Sequence, residues 1–510
     1  MQLKAVRADV TTIETPALLV NLYQGMKKPG GATGAVDRAL DGQIGDLIAD
    51  GEITGKPGET TIVHTAGRLP ARRVVVVGLG KKEACDLEAI RRAMGSATQR
   101  LLQHGITRFH TVLHGGAGLS DGADTRAIAQ AIAEAAVMAG FKDERYKTVS
   151  EEEEPGGTEP RDKKELAGLT VVEADGRKLP AIRRGLDRGE KLARAVNYTR
   201  ELGNTPPNEM TPERLGERAL ELADEHGLEC EVLDGDALAE MGMGAILGVG
   251  SGSTNEPRLI VLRYRGGGKT ARPTAIVGKA VTFDTGGISI KPSARMEDMK
   301  YDKMGGCAVF GILKAAALLK LRKNLIGIVP AAENMPSGTA YRPGDILRSY
   351  SGKTIEIINT DAEGRLILAD ALAYAAEQEP REIIDLATLT GACVVALADA
   401  ASGAFGDEEI VARLVEVGKR TGDSAWPLPV SREFGDKMKS EVADIKNSSG
   451  DAWGGASNAA AFLKFFVQDG IPWVHLDIAG TAWVNKPKPY HPFGATGAGV
   501  RLVTEYLAGG

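Results

Sequence analysis

Two clusters of ionisable residues concentrate the chemistry available to this 510-residue chain. The first is Asn359-Thr360-Asp361-Ala362-Glu363-Gly364-Arg365. It follows a β-branched run, 354–358, that predicts a strand, and precedes 366–373, whose apolar spacing predicts a helix. Asp361, Glu363 and Arg365 therefore stand where a strand ends and a helix begins, which is where open α/β sheets bind ligands. In extended backbone, residues i, i+2 and i+4 point the same way, so two carboxylates and a guanidinium are expected to face one pocket. The second cluster runs from Val277 to Pro292 and starts at the end of a predicted strand, 275–277. Lys279 and Asp284 are expected to bracket a tight loop, and Gly286-Gly287 permits close backbone approach to a ligand. Lys291 ends this run, and Asp302 follows just before a predicted helix.

If both strand ends line one crevice, it holds Asp284, Asp302, Asp361 and Glu363 together with Lys279, Lys291 and Arg365. Four carboxylates packed together cannot all stay ionised without cations. The three basic side chains could balance them as a structural ion-pair network. Two divalent metals would balance them better, bridged by carboxylates at the ~3.5–4 Å separation of two-metal hydrolases. Oxygen donors suit Mg, Mn or Zn. Neither cluster contains a histidine and the chain has no H-E-x-x-H, so any metal here is a carboxylate-bound one.

The elements that must position these residues read as two α/β domains. Strands are expected at 18–20, 60–63, 74–77, 109–113 and 169–172, with helices at 86–102 and 125–139, a βαβα pattern. Gly78-Leu79-Gly80 lacks the third glycine of a dinucleotide fingerprint, since Glu83 stands there, and reads as a plain turn. The four glutamates 151–154 open a charged, Gly- and Pro-containing stretch that reads as a solvated linker loop near 150–164. A long connecting helix is expected near 181–202, and Thr211-Pro212-Glu213 is a second helix start. Beyond it, strands are predicted at 230–233, 259–262, 275–277, 325–329 and 383–386, and helices at 308–319, 366–377 and 456–466. Gly242, Gly244, Gly248, Gly250 and Gly252 fit no nucleotide motif and read as a flexible loop.

Composition narrows the class. Hydrophobic residues make up 43% and charged residues 25%, an ordinary soluble globular balance. The net charge of -6 speaks against a general nucleic-acid binder. Cys85, Cys230, Cys307 and Cys393 are far apart, which fits a reducing compartment. No leader-like apolar stretch opens the chain and no apolar run reaches the ~18 residues of a membrane span, so a cytoplasmic protein is expected.

The ordered motifs carry a resemblance. Asn359 to Leu366, Lys279 to Gly306, Asn204-Thr205-Pro206-Pro207-Asn208, Glu333-Asn334-Met335-Pro336, 385–392, 453–457 and 475–483 together resemble the leucyl aminopeptidases, the cytosolic M17 metallopeptidases. The resemblance is strong over 180–510 and covers the first domain by position and type. It implies a small N-terminal α/β, macro-like domain over 1–175 and a larger catalytic α/β domain with a central mixed sheet over 176–510. It further implies two divalent metal ions per subunit, Mn or Zn with Mg or Co as alternatives, held by Lys279, Asp284, Asp302, Asp361 and Glu363, with Asp284 and Glu363 bridging. A metal-activated water would attack the scissile carbonyl, Lys291 would stabilise the gem-diolate, and Arg365 would hold a bicarbonate ion as general base. Met299, Thr388, Leu389 and Gly391 would line the pocket for the first side chain.

The implied substrate is a peptide with a free N-terminus and a leucine-like first residue, and the implied assembly is a homohexamer. Alternatives are a dipeptidase of the same fold, such as a Cys-Gly hydrolase, or an added DNA-binding role, which the net charge and the acidic run oppose. Two positions depart from the family pattern: Ala280 where Gly is usual, and Lys303 where Met is commoner and where a cation next to Asp302 could weaken metal binding or alter the pocket charge. His475 is expected to be a buried, hydrogen-bonded histidine, Cys307 and Cys393 core residues, and Trp453 and Trp483 packing or subunit contacts.

Overall fold

Val74 to Val77 are buried without interruption, as a strand covered on both faces requires. They form the strand Arg73–Gly78 inside a six-stranded sheet of order Gln2–Arg7, Gly168–Glu173, Arg108–Val112, Leu18–Leu22, Arg73–Gly78, Thr60–His64. All neighbours pair in parallel except the edge strand Thr60–His64. The computed structural model describes residues 1–115, 119–148 and 165–509. The expected linker loop near 150–164 lies outside them. The chain divides into two compact units, Met1–Arg194 with Lys486–Phe493, and Ala195–Asn485 with Gly494–Gly510. The division falls inside one helix, Leu179–Asn204, rather than at 175, and nothing in the sequence marks the return of 486–493 to the first unit.

In the first unit, the helices Leu87–Gln103 and Thr125–Ala139 begin at aspartates whose carboxylates accept a backbone N–H, Asp86 from Ala89 and Asp124 from Ala127. Gly78 is a packing glycine, since a Cβ there would collide with the Lys56 carbonyl, and Gly80 turns the chain at φ +77°.

His114 is fully buried among neutral partners, with Nδ1 3.2 Å from Asn21 Oδ1 and Nε2 3.0 Å from Thr111 Oγ1. Burial pushes its imidazole down to about 4. The unfolded chain therefore takes up the proton first as pH falls. The His114 contribution is complete above pH ~6.5 and is lost progressively toward pH 4, by about 3 kcal/mol in total. Chemical denaturation of the wild type and His114→Gln across this window should show the extra acid sensitivity only in the wild type. Parallel curves would refute it.

The second unit is built on a nine-stranded mixed sheet. Its path runs Ala425–Pro427, Ser402–Gly406, Trp473–Asp477, Glu382–Ala387, Thr274–Gly278, Asn324–Asn334, Arg258–Arg265, Glu229–Leu233, and Ala280–Asp284 pairs alongside the end of Asn324–Asn334. The four central strands from Trp473–Asp477 to Asn324–Asn334 are mutually parallel. Their carboxyl ends deliver Lys279, Asn334, Thr388 and Asp477 to one side, and the parallel strand Ala280–Asp284 adds Asp284.

Three sequence expectations change here. Residues 280–284 are a strand, not a tight loop, because their backbone pairs with 331–334. The run 354–358 contributes only Thr354–Glu356, and it belongs to a separate three-stranded sheet with Ile346–Arg348 and Ile445–Lys446. Its β-branched residues predict extended backbone but carry no information about which sheet they join. The glycine-rich stretch is partly a helix, Gly244–Gly250. A Cβ on Gly248 would stand 2.6 Å from Leu347, so glycine there serves close packing. Asp370, buried in the helix Gly364–Glu377, accepts the N–H groups of Ala245 and Ile246 at 3.0 and 2.9 Å and of Tyr350 at 2.7 Å. One carboxylate thus ties that glycine helix and the small sheet's 350 turn to the helix that follows Glu363.

Candidate metal centre

Lys279 leaves the end of its strand fully enclosed. Its ammonium lies 2.8 Å from Asp302 Oδ1, 2.8 Å from Glu363 Oε1 and 3.0 Å from the Thr388 carbonyl. Lys291 reaches in from the glycine turn and pairs with Asp284 Oδ2 at 2.6 Å and with Asp361 Oδ1. Asp284 also accepts Gly286 N–H at 2.9 Å and Asn334 Nδ2 at 2.8 Å, while Asp302 Oδ1 accepts the Thr388 hydroxyl at 2.7 Å. All seven residues of the two sequence clusters line a single cavity of about 610 Å³.

Asp361, Glu363 and Arg365 do not converge by strand alternation. Asp361 sits in a turn, Glu363 is already helical at φ -81°, ψ -36°, and Arg365 belongs to the helix Gly364–Glu377. Two residues without ionisable groups do the positioning. Thr360 accepts Ser289 N–H at 2.8 Å, donates to the Gly286 carbonyl at 2.6 Å, and offers its own carbonyl to Asn334 Nδ2 and Tyr341 Oη. Asn447, fully buried, accepts the N–H groups of Ile358 and Asn359 and donates to the Asn359 carbonyl at 2.7 Å. Its own carbonyl takes Arg365 Nη1 at 2.9 Å. Neither had a signal in residue type. Asn447 lies in a Lys-Asn-Ser-Ser stretch that reads as surface loop.

Glycines bring the backbones together. At Gly286, φ +86°, a Cβ would come 2.8 Å from Asp361 Oδ1. At Gly364 it would come 2.5 Å from Lys279 Nζ. Gly364→Ala should therefore displace the Lys279 ammonium from Asp302 and Glu363. We expect at least ten-fold lower activity and a loss of about 1–3 kcal/mol from overpacking. Assay and thermal melts of that variant check this, and wild-type values for both would contradict the packing argument.

The electrostatics are those of an under-neutralised acidic cluster. Burial works against both lysine charges, but the surrounding carboxylates outweigh it and hold both ammonium groups above their ordinary range. Burial together with Glu363 raises Asp284 to about 6, and burial raises Asp302 and Asp361. Burial lowers Arg365 to about 10 against the pull of Glu363 and Asp477. Four carboxylates face two paired ammonium groups and one guanidinium, so negative charge is left over in a buried place. Two oxygens mark the shortfall, and one nitrogen is left as a free donor. Asp302 Oδ2 lies 2.8 Å from Lys279 without an aligned donor, and among the described residues neither Asn334 Oδ1 nor Arg365 Nε has a hydrogen-bond partner. One carboxylate oxygen each from Asp284, Asp361 and Glu363 fall within 4.8 Å of one another. A hard-oxygen cradle with surplus charge fits divalent cations.

The remaining expected residues divide. Met299, Thr388, Leu389 and Gly391 all line the cavity, and the Thr388 hydroxyl is bonded to Asp302. Trp483 also lines the cavity while stacking on Tyr301 at 5.5 Å, and Trp453 is 77% exposed in the single chain. Lys303 does not face the acidic cluster. Its ammonium donates to the carbonyls of Thr205, at 3.0 Å, and Lys300, at 2.5 Å, and burial lowers it to about 8. Ala280 is accommodated within a strand. His475 is buried, with Nδ1 2.6 Å from Asp385, as expected of a core histidine. Cys307 and Cys393 are buried free thiols.

Comparison with known proteins places this geometry. Residues 197–504 match the family described as "Cytosol aminopeptidase family, catalytic domain", and residues 19–150 match its N-terminal domain. The chain is similar to the probable cytosol aminopeptidase of Geobacter sp. (strain M21), at 46% identity over 97% of this chain and 96% of that one. That of Geobacter sulfurreducens is 45% identical, with 98% of each covered. Among solved structures, a variant of tomato leucine aminopeptidase superposes with a TM-score of 0.87 at 31% identity, covering 100% of this chain and 97% of that one. The bottromycin maturation enzyme BotP in complex with Mn gives 0.83 at 31% identity, over 97% and 99%.

Proposed function

This chain belongs to the cytosol aminopeptidase family, and from that premise we propose that it is a two-metal aminopeptidase releasing leucine-like N-terminal residues from peptides. The observation that carries the reading is the surplus of buried carboxylate at the carboxyl ends of the central strands. Asp284, Asp302, Asp361 and Glu363, with Lys279 in its neutral form, would hold the two ions, Asp284 and Glu363 being shared. When bound, the ions supply Lewis acidity for the scissile carbonyl and a water acidic enough to act at neutral pH.

The chain's own residues supply the rest. Lys291, 20% exposed at the cavity wall, keeps its proton and can donate to the carbonyl oxygen as that oxygen gains charge. Arg365 is enclosed and lacks a partner at Nε, so it is the seat for a small anion, and bicarbonate there would supply a base. Met299, Leu389, Val394, Ala479 and Trp483 provide apolar wall for the first side chain. The relatives' name, cytosol aminopeptidase, supports a cytoplasmic location. Trp426, Val442, Trp453 and Val395, all more than half exposed, support burial in a homohexamer.

One preparation tests this. The protein is stripped with chelator and refilled with Mn, Zn, Co or Mg. Metal per chain, mass by light scattering and hydrolysis of a leucine anilide are then followed together. Activity returning as about two ions bind per chain, in a species of six chains, is the expected result. Stoichiometric binding without hydrolysis would reject the substrate class. No binding would make the cluster an ion-pair network.

A further inference from the structure

Four cationic side chains line the cavity: Lys279, Lys291, Arg365 and Arg295. The two lysines are taken up by the acidic cluster, and Arg365, held at Nη1 by the Asn447 carbonyl, is assigned to the small anion. Arg295 is different. Its side chain is 66% exposed, and only Nε is engaged, 3.1 Å from Asp298 Oδ2. Among the described residues its two Nη groups make no hydrogen bond, which leaves one edge of the guanidinium fork free for a planar acceptor.

The backbone at Arg295 is also unusual. It holds φ +63°, ψ +21°, in the left-handed region that glycine and asparagine favour. Of the six non-glycine residues with positive φ among those described, it alone lines the cavity. It immediately precedes the 3₁₀ segment Met296–Lys303, which carries Met299 and Asp302. Strain of this kind persists where surrounding structure holds a side chain in place, commonly at ligand clamps.

We propose that Arg295 is a specificity residue that recognises a carboxylate of the peptide on the leaving-group side of the scissile bond. This rests on the aminopeptidase reading. The acidic ligands repel an anion near the reacting centre, Lys291 is paired with Asp284 and Asp361, and Arg365 is reserved for the small anion, so Arg295 is the cationic fork left for a carboxylate of the substrate, and with a leucine-like first side chain that carboxylate lies beyond the scissile bond. Two substrate groups have that chemistry: the terminal carboxylate of a short peptide, and an acidic side chain next to the scissile bond. Asp298 shares the guanidinium, so the preference is modest and sensitive to salt.

The test compares Leu-Gly, Leu-Gly amide and Leu-Asp amide on the metal-loaded wild type and on Arg295→Asn, asparagine being chosen because it tolerates the left-handed backbone. The ratio of kcat/KM between charged and neutral substrates is read, so a general change in rate cancels. In the wild type one of the two ratios should be about five-fold above one at low salt, shrinking as salt rises. Leu-Gly favoured over its amide identifies the terminal carboxylate, and Leu-Asp amide favoured over Leu-Gly amide identifies the side chain. Arg295→Asn should bring the ratio to about one. No preference in the wild type, or the same ratio in the variant, overturns the assignment. Failure of the wild type to cleave any of the three would instead reject the aminopeptidase reading.

Discussion

Glu363→Ala is expected to lower kcat/KM by at least about 10³-fold, the several kcal/mol that charge stabilisation at a bound ion supplies, and to leave the fold intact. Glu363 is 2% exposed and pairs with Lys279 at 2.8 Å. Removing one partner of a buried pair is ordinarily destabilising, because the other charge is left alone. Here Lys279 retains Asp302 and the Thr388 carbonyl. The carboxylates are also in excess, and Glu363 is one of the charges that push Asp284 up to about 6. Losing Glu363 relieves that repulsion, so the metal-free melting temperature should stay within a few degrees of wild type. Metal per chain should fall, because the cradle of Asp284, Asp361 and Glu363 loses a corner. Near-normal turnover with two ions still bound would remove the shared-ligand role from consideration.

Lys291→Met should show a different signature: kcat down about 10²–10³-fold with KM little changed, the pattern of a donor that acts mainly in the transition state. The ammonium stands at the cavity wall between Asp284 and Asp361, and the carboxylates hold its proton firmly. Methionine keeps most of the chain's volume and removes only the donor and its charge. Removing a cation beside Asp284 and Asp361 leaves these carboxylates freer to take a metal, so binding should be retained. Metal analysis alongside steady-state kinetics separates the cases. If the loss followed metal content and excess metal restored it, Lys291 would be a partner of the ligands rather than a donor to substrate.

The elements were largely legible. The helix start at Thr211 and the valine strand at 74–77 each act locally, and the structure has them where the residue types put them. Misreadings concern what a segment packs against. The β-branched run at 354–358 looks the same whether it joins the central sheet or a three-stranded one. The glycines of 242–252 suggest mobility until Arg348 and Leu347 are seen to leave no room for a Cβ at Gly244 and Gly248. Lys303, adjacent to Asp302, reads as a cation that could weaken metal binding or alter the pocket charge, yet its side chain turns toward the Thr205 carbonyl.

By itself the sequence determined the chemical inventory: seven ionisable groups, no histidine among them, spaced so that short-range geometry brings each near a strand end or helix start. Charge counting on those seven favoured bound cations over a closed ion-pair network, because four carboxylates outnumber three basic groups whatever the conformation. The pairing was decided only in three dimensions. Lys279 with Asp302 and Glu363, and Lys291 with Asp284 and Asp361, join residues up to 84 positions apart through contacts that no local periodicity encodes. Thr360 and Asn334, which hold the two clusters against each other, and Asn447, which fixes the turn from Asn359 to Arg365, are neutral residues whose value lies in buried hydrogen bonds. A buried amide or hydroxyl is costly unless paired, so its position is dictated by where partners end up after folding, and residue type alone cannot announce it.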